Sequence, residues 1–201
     1  MDSQSYLNEI SATVRPQKQS NGFLKSKFFL VGAVTVVALI LMAVIGAILS
    51  GGKSDLKDQL FTLEKRLTNL TATINTYQPN VKSSDLRSSS ASLKGVLSNT
   101  QNGITTYVAE KYKGKKPEKK LEESEQAHID ELNDELFQAK INGILDRIYA
   151  HKMAYEISLL MSMEDKIYNA SNDQELHSIL DTSSDSMQNL YDKFGNYSET
   201  N

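Results

Sequence analysis

Apolar residues are distributed along the chain in two ways: without interruption from Phe28 to Leu49, and at helical intervals from Leu56 onward. The first stretch, FFLVGAVTVVALILMAVIGAIL, holds 22 residues with no charge, amide, proline or histidine. At a rise of roughly 1.5 Å per residue, an α-helix of that length reaches about 33 Å, enough to cross a hydrocarbon core of about 30 Å. A buried helix of a water-soluble domain normally keeps a polar stripe, and here every face is apolar. The pattern predicts a membrane-spanning helix. A cleaved secretory signal fits less well, because its apolar region runs about 7–15 residues and ends at a small-x-small site. Here a 27-residue tail precedes the stretch, and Ile48 and Leu49 occupy the positions two before Ser50 and Gly51. An uncleaved signal-anchor is the expectation.

Beyond Ser50-Gly51-Gly52, the start of a short hinge over 50–54, the apolar spacing changes. Leu56, Leu60, Leu63, Leu67, Leu70, Ile74 and Tyr77 recur at alternating steps of four and three. This is a heptad seam. Ser54 suits an N-cap, Asp55 and Asp58 suit a first turn, and Pro79 ends the pattern. A second helix is expected from about Ser84 to Tyr112, burying Leu86, Leu93, Val96, Leu97, Ile104, Tyr107 and Val108. Its serine-rich first half is intrinsically weak as helix. Six of the ten residues from Lys111 to Lys120 are lysine, with Gly114 and Pro117 among them, which reads as a turn with Pro117 in the first turn of the next helix.

A third helical region spans about 117–169, with Ile129, Leu132, Leu136, Phe137, Ile141, Ile144, Leu145, Ile148, Tyr155, Leu159, Leu160, Met163 and Ile167 on its apolar stripe. Asn142-Gly143 is the one point where it can break. Ser171-Asn172-Asp173 caps a final helix, Gln174 to Phe194, through Leu176, Ile179, Leu180, Met187, Leu190, Tyr191 and Phe194, with Gly195 at its end. No strand-like alternation and no internal repeat is present. The expected fold is all-α: one transmembrane helix followed by an antiparallel helical bundle or coiled-coil domain of about four helices. The expected division is a tail over 1–27, the span over 28–49, a hinge over 50–54, the bundle over 55–195 and a tail over 196–201.

Composition narrows the chemistry. Mean hydropathy is −0.40 even with the span included, so the remainder is distinctly hydrophilic. Arg15, Lys18, Lys25 and Lys27 against Asp2 and Glu9 give the leading 27 residues a net +2; the whole chain is −3, so everything after them carries −5. A mildly acidic domain argues against generic nucleic-acid binding. The basic tail favours a cytoplasmic N-terminus and an extracytoplasmic bundle by the positive-inside tendency, although Lys53, Lys57, Lys65 and Arg66 lie at similar distances on the other side. There is no cysteine, which removes disulfides, thiolate metal sites, cysteine nucleophiles and lipidated cysteine.

Within the span, Ala43 and Ala47, and Gly46 and Ser50, have the small-xxx-small spacing of packed membrane helices, a spacing also expected from ordinary span composition. Glu125 and His128 stand three apart, as in carboxylate-bridged metal bundles, but those sites need a second such pair, and His151 and His177 lack it. A solvated charged face is the expectation for a segment with seven acids between Glu122 and Glu135. Neither Gly-x-Ser-x-Gly, nor Gly-x-Gly-x-x-Gly, nor a P-loop occurs, and three scattered histidines offer no triad. No catalytic residue, cofactor or metal is therefore assigned, and an enzyme is not expected. Sequons at Asn69, Asn169 and Asn196 are of the number expected by chance in such a chain.

The expected function is an interaction or scaffolding role at the cell envelope, with the lipid bilayer and a protein partner or second copy as partners and no nucleic acid. The seam from Leu56 to Ile74 is the basis, since it must meet another helix in cis or in trans. The alternative is a ligand- or metal-binding, sensor-like bundle. The lysine-rich turn suits an anionic membrane surface if the second helix returns toward the bilayer.

Overall fold

The computed structural model describes residues 55–113 and 115–198, so the apolar stretch 28–49, the leading tail, the whole hinge 50–54 and the last three residues lie outside the described residues. The described residues form an all-helical bundle of five α-helices, with no strand among them. They are α1 (Leu56–Tyr77), α2 (Ser84–Lys111), α3 (Lys119–Ile141), α4 (Leu145–Ala170) and α5 (Gln174–Gly195), with a 3-10 turn, Gln78–Asn80, after α1. The expectation of about four helices is corrected to five because the third region is two helices.

The break lies at Asn142-Gly143. Gly143 has a φ of 73°, the left-handed region that glycine adopts without steric penalty. The Ile144 N–H donates to the Ala139 carbonyl at 3.0 Å and the Gly143 N–H to the Lys140 carbonyl at 3.2 Å. This is a Schellman stop, which satisfies the last carbonyls of α3 and turns the chain back. The remaining boundaries follow local chemistry. Asp55, rather than Ser54, precedes α1, and Pro79 sits in the 3-10 turn that ends it. Ser83 caps α2 by accepting from the Leu86 N–H, and Asp173 caps α5 by accepting from Glu175 and Leu176. Pro117 falls just before α3 instead of inside its first turn.

Each helix buries a seam with the same four-three stepping. In α1 it is Leu60, Leu63, Leu67, Leu70, Ile74 and Tyr77; in α2, Leu86, Ser90, Leu93, Leu97, Thr100, Ile104 and Tyr107. In α3 it is Glu125, Ile129, Leu132, Leu136 and Ala139; in α4, Ala150, Met153, Ile157, Leu160, Glu164 and Ile167, with Tyr149 buried beside them; in α5, Leu176, Leu180, Ser183, Met187, Leu190 and Phe194. The sequence shows only the α1 seam plainly, because serine, threonine and glutamate occupy seam positions in the others.

Helices α1, α2, α5 and α4 form a ring in which each packs on the next, and α3 lies along α1 and α4. Neighbours within the ring run antiparallel, as the pairs Thr105 with Glu64, Lys94 with Asn75, and Thr100 with Ser183 require. Helix α3 runs parallel to α1, since Arg66 meets Glu125 and Thr73 meets Asn133. The bundle is thus antiparallel except at this fifth helix. Its α1 touches α2, α3 and α4, so it buries Phe61, Arg66 and Thr73 as well as its seam. Phe137 and Ile141, expected in the apolar stripe, are instead 50% and 60% exposed on α3, which has neighbours on one side only. Tyr191 on α5 is exposed too, and Val96 and Ile179 are half-buried.

Candidate functional site

The densest cluster of chemically capable side chains begins with Arg66, set between Leu63 and Leu67 on α1 and only 4% exposed. Its guanidinium forks onto Glu125 of α3, donating from Nε at 2.5 Å and from the second terminal nitrogen at 2.9 Å. The remaining nitrogen reaches Glu156 of α4 at 3.4 Å. Glu156 also shares a hydrogen bond with His128 Nε2 at 2.8 Å. Glu125 and Glu156 are 6% and 1% exposed. Burial pushes the Arg66 pKa down, but the hydrogen bond and charge of Glu125, with Glu156 behind them, leave it above the ordinary value.

This arrangement corrects the reading of Glu125 and His128 as a solvated face. Their three-residue spacing does place them on one side of α3, but that side faces α1 and α4. Nor is it an open metal site: both Glu125 oxygens are held by Arg66 and His128 Nε2 is held by Glu156, and among the described residues no group of three or more metal-ligating side chains is assembled. The pairing is bidentate and fork-shaped, so it fixes geometry as well as charge. Its chemical capacity is to lock three helices in one register, and it presents no nucleophile. Sequence reasoning missed Arg66 and Glu156, and the available signal was a charge beside a seam position in each helix.

A second polar layer crosses the other side of the ring. Glu164 of α4, 2% exposed, accepts from Ser183 Oγ of α5 at 2.7 Å, and Ser183 accepts from Thr100 Oγ1 of α2 at 2.8 Å. The second Glu164 oxygen has no hydrogen-bond partner among the described residues. Burial raises the Glu164 pKa to about 7, against a smaller lowering by the Ser183 bond. Thr100 and Ser183 also line a groove of about 300 Å³ between α2 and α5. There Gly103 allows close approach, since a Cβ on it would stand 3.1 Å from the Ile179 side chain. A third layer joins α4 to α2: the hydroxyl of the fully buried Tyr149 donates to Ser90 Oγ at 2.9 Å, and burial pushes its pKa up to about 12.

The two ends of the bundle differ. At one end, Asp146 of α4 accepts from the backbone N–H groups of Lys82 at 2.9 Å and Ser83 at 2.7 Å, tying the α1–α2 turn to the start of α4. An open polar cavity of about 1200 Å³ lies there, with Lys82, Lys140 and Lys193 and with Asp85 and Asp146 on its walls. At the other end the start of α1 meets the exit of α2 and the entry to α3. Lys111 binds Asp173, the cap of α5, at 3.1 Å, and the charges of Lys57 and Glu118 act on one another across the gap. The Lys111 bond holds the Asp173 carboxyl below its ordinary pKa. His177 stacks on Tyr168 at 3.8 Å between ring centroids, and its Nε2 faces the carbonyls of Tyr168 and Ser171, closing the end of α4. Lys111, Lys113, Lys115, Lys116, Lys119 and Lys120 are all exposed around this end. Compared with known proteins, the chain matches no family model, no curated protein and no solved structure.

Proposed function

We propose that this chain is a single-pass, membrane-anchored helical-bundle protein with a non-catalytic interaction or scaffolding role at the cell envelope. The observation that carries the reading is the sequence of residues 28–49, which is long enough and apolar enough to span a bilayer. No helix among the described residues is long and apolar enough to cross a membrane, which leaves that stretch as the candidate anchor. The basic tail before it supports a cytoplasmic N-terminus and a bundle on the opposite side. A non-catalytic role is supported by the cluster at Arg66, whose carboxylates and imidazole are spent on one another.

Fractionation of cells expressing the full chain tests the anchor. The chain stays in the pellet through alkaline carbonate and leaves it only with detergent; recovery in the carbonate supernatant overturns the reading. Protease added to intact spheroplasts removes the bundle if it is extracytoplasmic and spares it if the orientation is reversed. The protein partner is expected on the outer surface of the bundle, where Phe137 and Ile141 are exposed, because the α1 seam is covered by helices of the same chain. A second reading, a ligand-binding sensor-like bundle, draws on the unpartnered Glu164 oxygen and the groove beside Thr100 and Ser183.

A further inference from the structure

The charge of the bundle is unevenly distributed. Everything after the leading tail sums to −5, yet one end gathers six exposed lysines within ten residues. Some of these are neutralised locally: Lys111 pairs with Asp173, Lys119 pairs with Glu123 at 3.2 Å, and Lys115 lies 5.9 Å over the Tyr112 ring. Lys113, Lys116 and Lys120 make no ion pair among the described residues. Glu110, Glu118, Glu122 and Glu123 stand close to them in the chain, yet a lysine held in no ion pair is free to meet an external anion.

The position of this end along the chain names the anion. The lysine turn shares its end of the bundle with Asp55, the cap of α1, because α2 runs antiparallel to α1, with Thr105 on Glu64, and α3 runs parallel to it, with Glu125 on Arg66, so the exit of α2 and the entry to α3 both lie beside the start of α1. The apolar stretch stops at Leu49, so only residues 50–54 lie between it and that end. Five residues reach at most about 18 Å when fully extended. We propose that the lysine-rich end of the bundle rests against the anionic phosphate headgroups of the same bilayer that holds residues 28–49. The proposal rests on the anchored reading above. Headgroup charge acts over about a screening length of 10 Å, and a tether of at most about 18 Å lets that end come within it. Each unpaired lysine so placed favours the docked orientation about fivefold, and Tyr112 beside them suits the headgroup level. The opposite end of the bundle carries Lys140 and Lys193.

The test uses the full chain in vesicles of phosphatidylcholine alone and of phosphatidylcholine with phosphatidylglycerol. Flotation reports the anchor, and labelling by a membrane-impermeant amine reagent, read residue by residue by mass spectrometry, reports docking. The expected result is flotation with both lipids, and several-fold slower labelling of Lys113, Lys116 and Lys120 in anionic vesicles, with Lys140 and Lys193 unchanged. Molar salt, where the screening length falls to about 3 Å, restores the labelling. Equal labelling in the two vesicle types on a floating chain overturns the docking and leaves the anchor intact. Flotation with anionic vesicles alone, released by salt, overturns the anchor and retains the headgroup contact. Flotation with neither overturns both. The variant Lys113→Gln/Lys116→Gln/Lys120→Gln, read at Lys115, loses the anionic protection; retention of it counts against the three lysines as the docking groups.

Discussion

Buried polar residues at or beside seam positions are where single substitutions reveal what each charge contributes to this bundle. Among the described residues, Arg66 is the one side chain that bonds both Glu125 and Glu156, two carboxylates that are almost wholly buried. Arg66→Ala strands Glu125 and leaves Glu156 with His128 alone, and is expected to cost about 3–5 kcal/mol in chemical denaturation of the detergent-solubilised chain. Replacing the group together, as Arg66→Met/Glu125→Leu/Glu156→Leu, restores most of that loss, because the cost of an ion pair is desolvation that apolar residues do not incur. A triple variant as unstable as the single one contradicts this account. Glu164 behaves in the opposite sense. Its folded pKa, about 7, lies above the ordinary carboxyl value of 4.5, so the fold favours the protonated form. Stability is full below about pH 4.5 and falls as pH rises to about 7, by up to about 3 kcal/mol. Glu164→Gln keeps the shape without the charge, and is expected to flatten this loss and to raise the melting temperature at pH 8. A melting profile equally steep in variant and parent across pH 4.5–7 excludes Glu164 as the cause.

At the scale of the element, the decisive feature is the turn between α3 and α4. A continuous helix over 117–169 would extend about 80 Å, while the two helices observed are about 35 and 39 Å, matching the others in the ring. Gly143 makes this possible with its φ of 73°. Nothing lies within 4 Å of a Cβ built on it, so Gly143→Ala introduces backbone strain without a clash. The expected loss is about 1–2 kcal/mol, with Gly143→Asn milder because asparagine tolerates the left-handed region. Equal stability of Gly143→Ala and the parent in thermal melts would contradict the Schellman stop. The periodic pattern made each helix legible to within a few residues, and Asn142-Gly143 marked the break. What hid four of the five seams was polar occupancy: Ser90, Thr100, Glu125, Glu164 and Ser183 sit where apolar residues are expected.

At the scale of the molecule, the α1 seam meets its partners inside one chain. Leu60, Leu63, Leu67, Leu70 and Ile74 are fully covered by α2, α3 and α4, so no second copy is needed to bury them. Sedimentation of the solubilised full chain is expected to give one bundle per micelle. Leu67→Ala is expected to lower stability by about 2–5 kcal/mol without changing that state. A dimer that dissociates on this substitution would return the seam to an intermolecular role.

The sequence by itself determined the helical class, the Asp173 cap of α5, the one place where the third region can break and the presence of one uninterrupted apolar stretch, because these depend on the chemistry of residues within a few turns of one another. The tertiary structure decided which charged residues are interior. Arg66, Glu125 and Glu156 lie 59 to 90 residues apart where they meet, and no local spacing distinguishes a carboxylate turned toward water from one turned toward a guanidinium on another helix. It also decided that Phe137 and Ile141 are exposed, since helical periodicity defines an apolar face but not how many neighbours arrive to cover it.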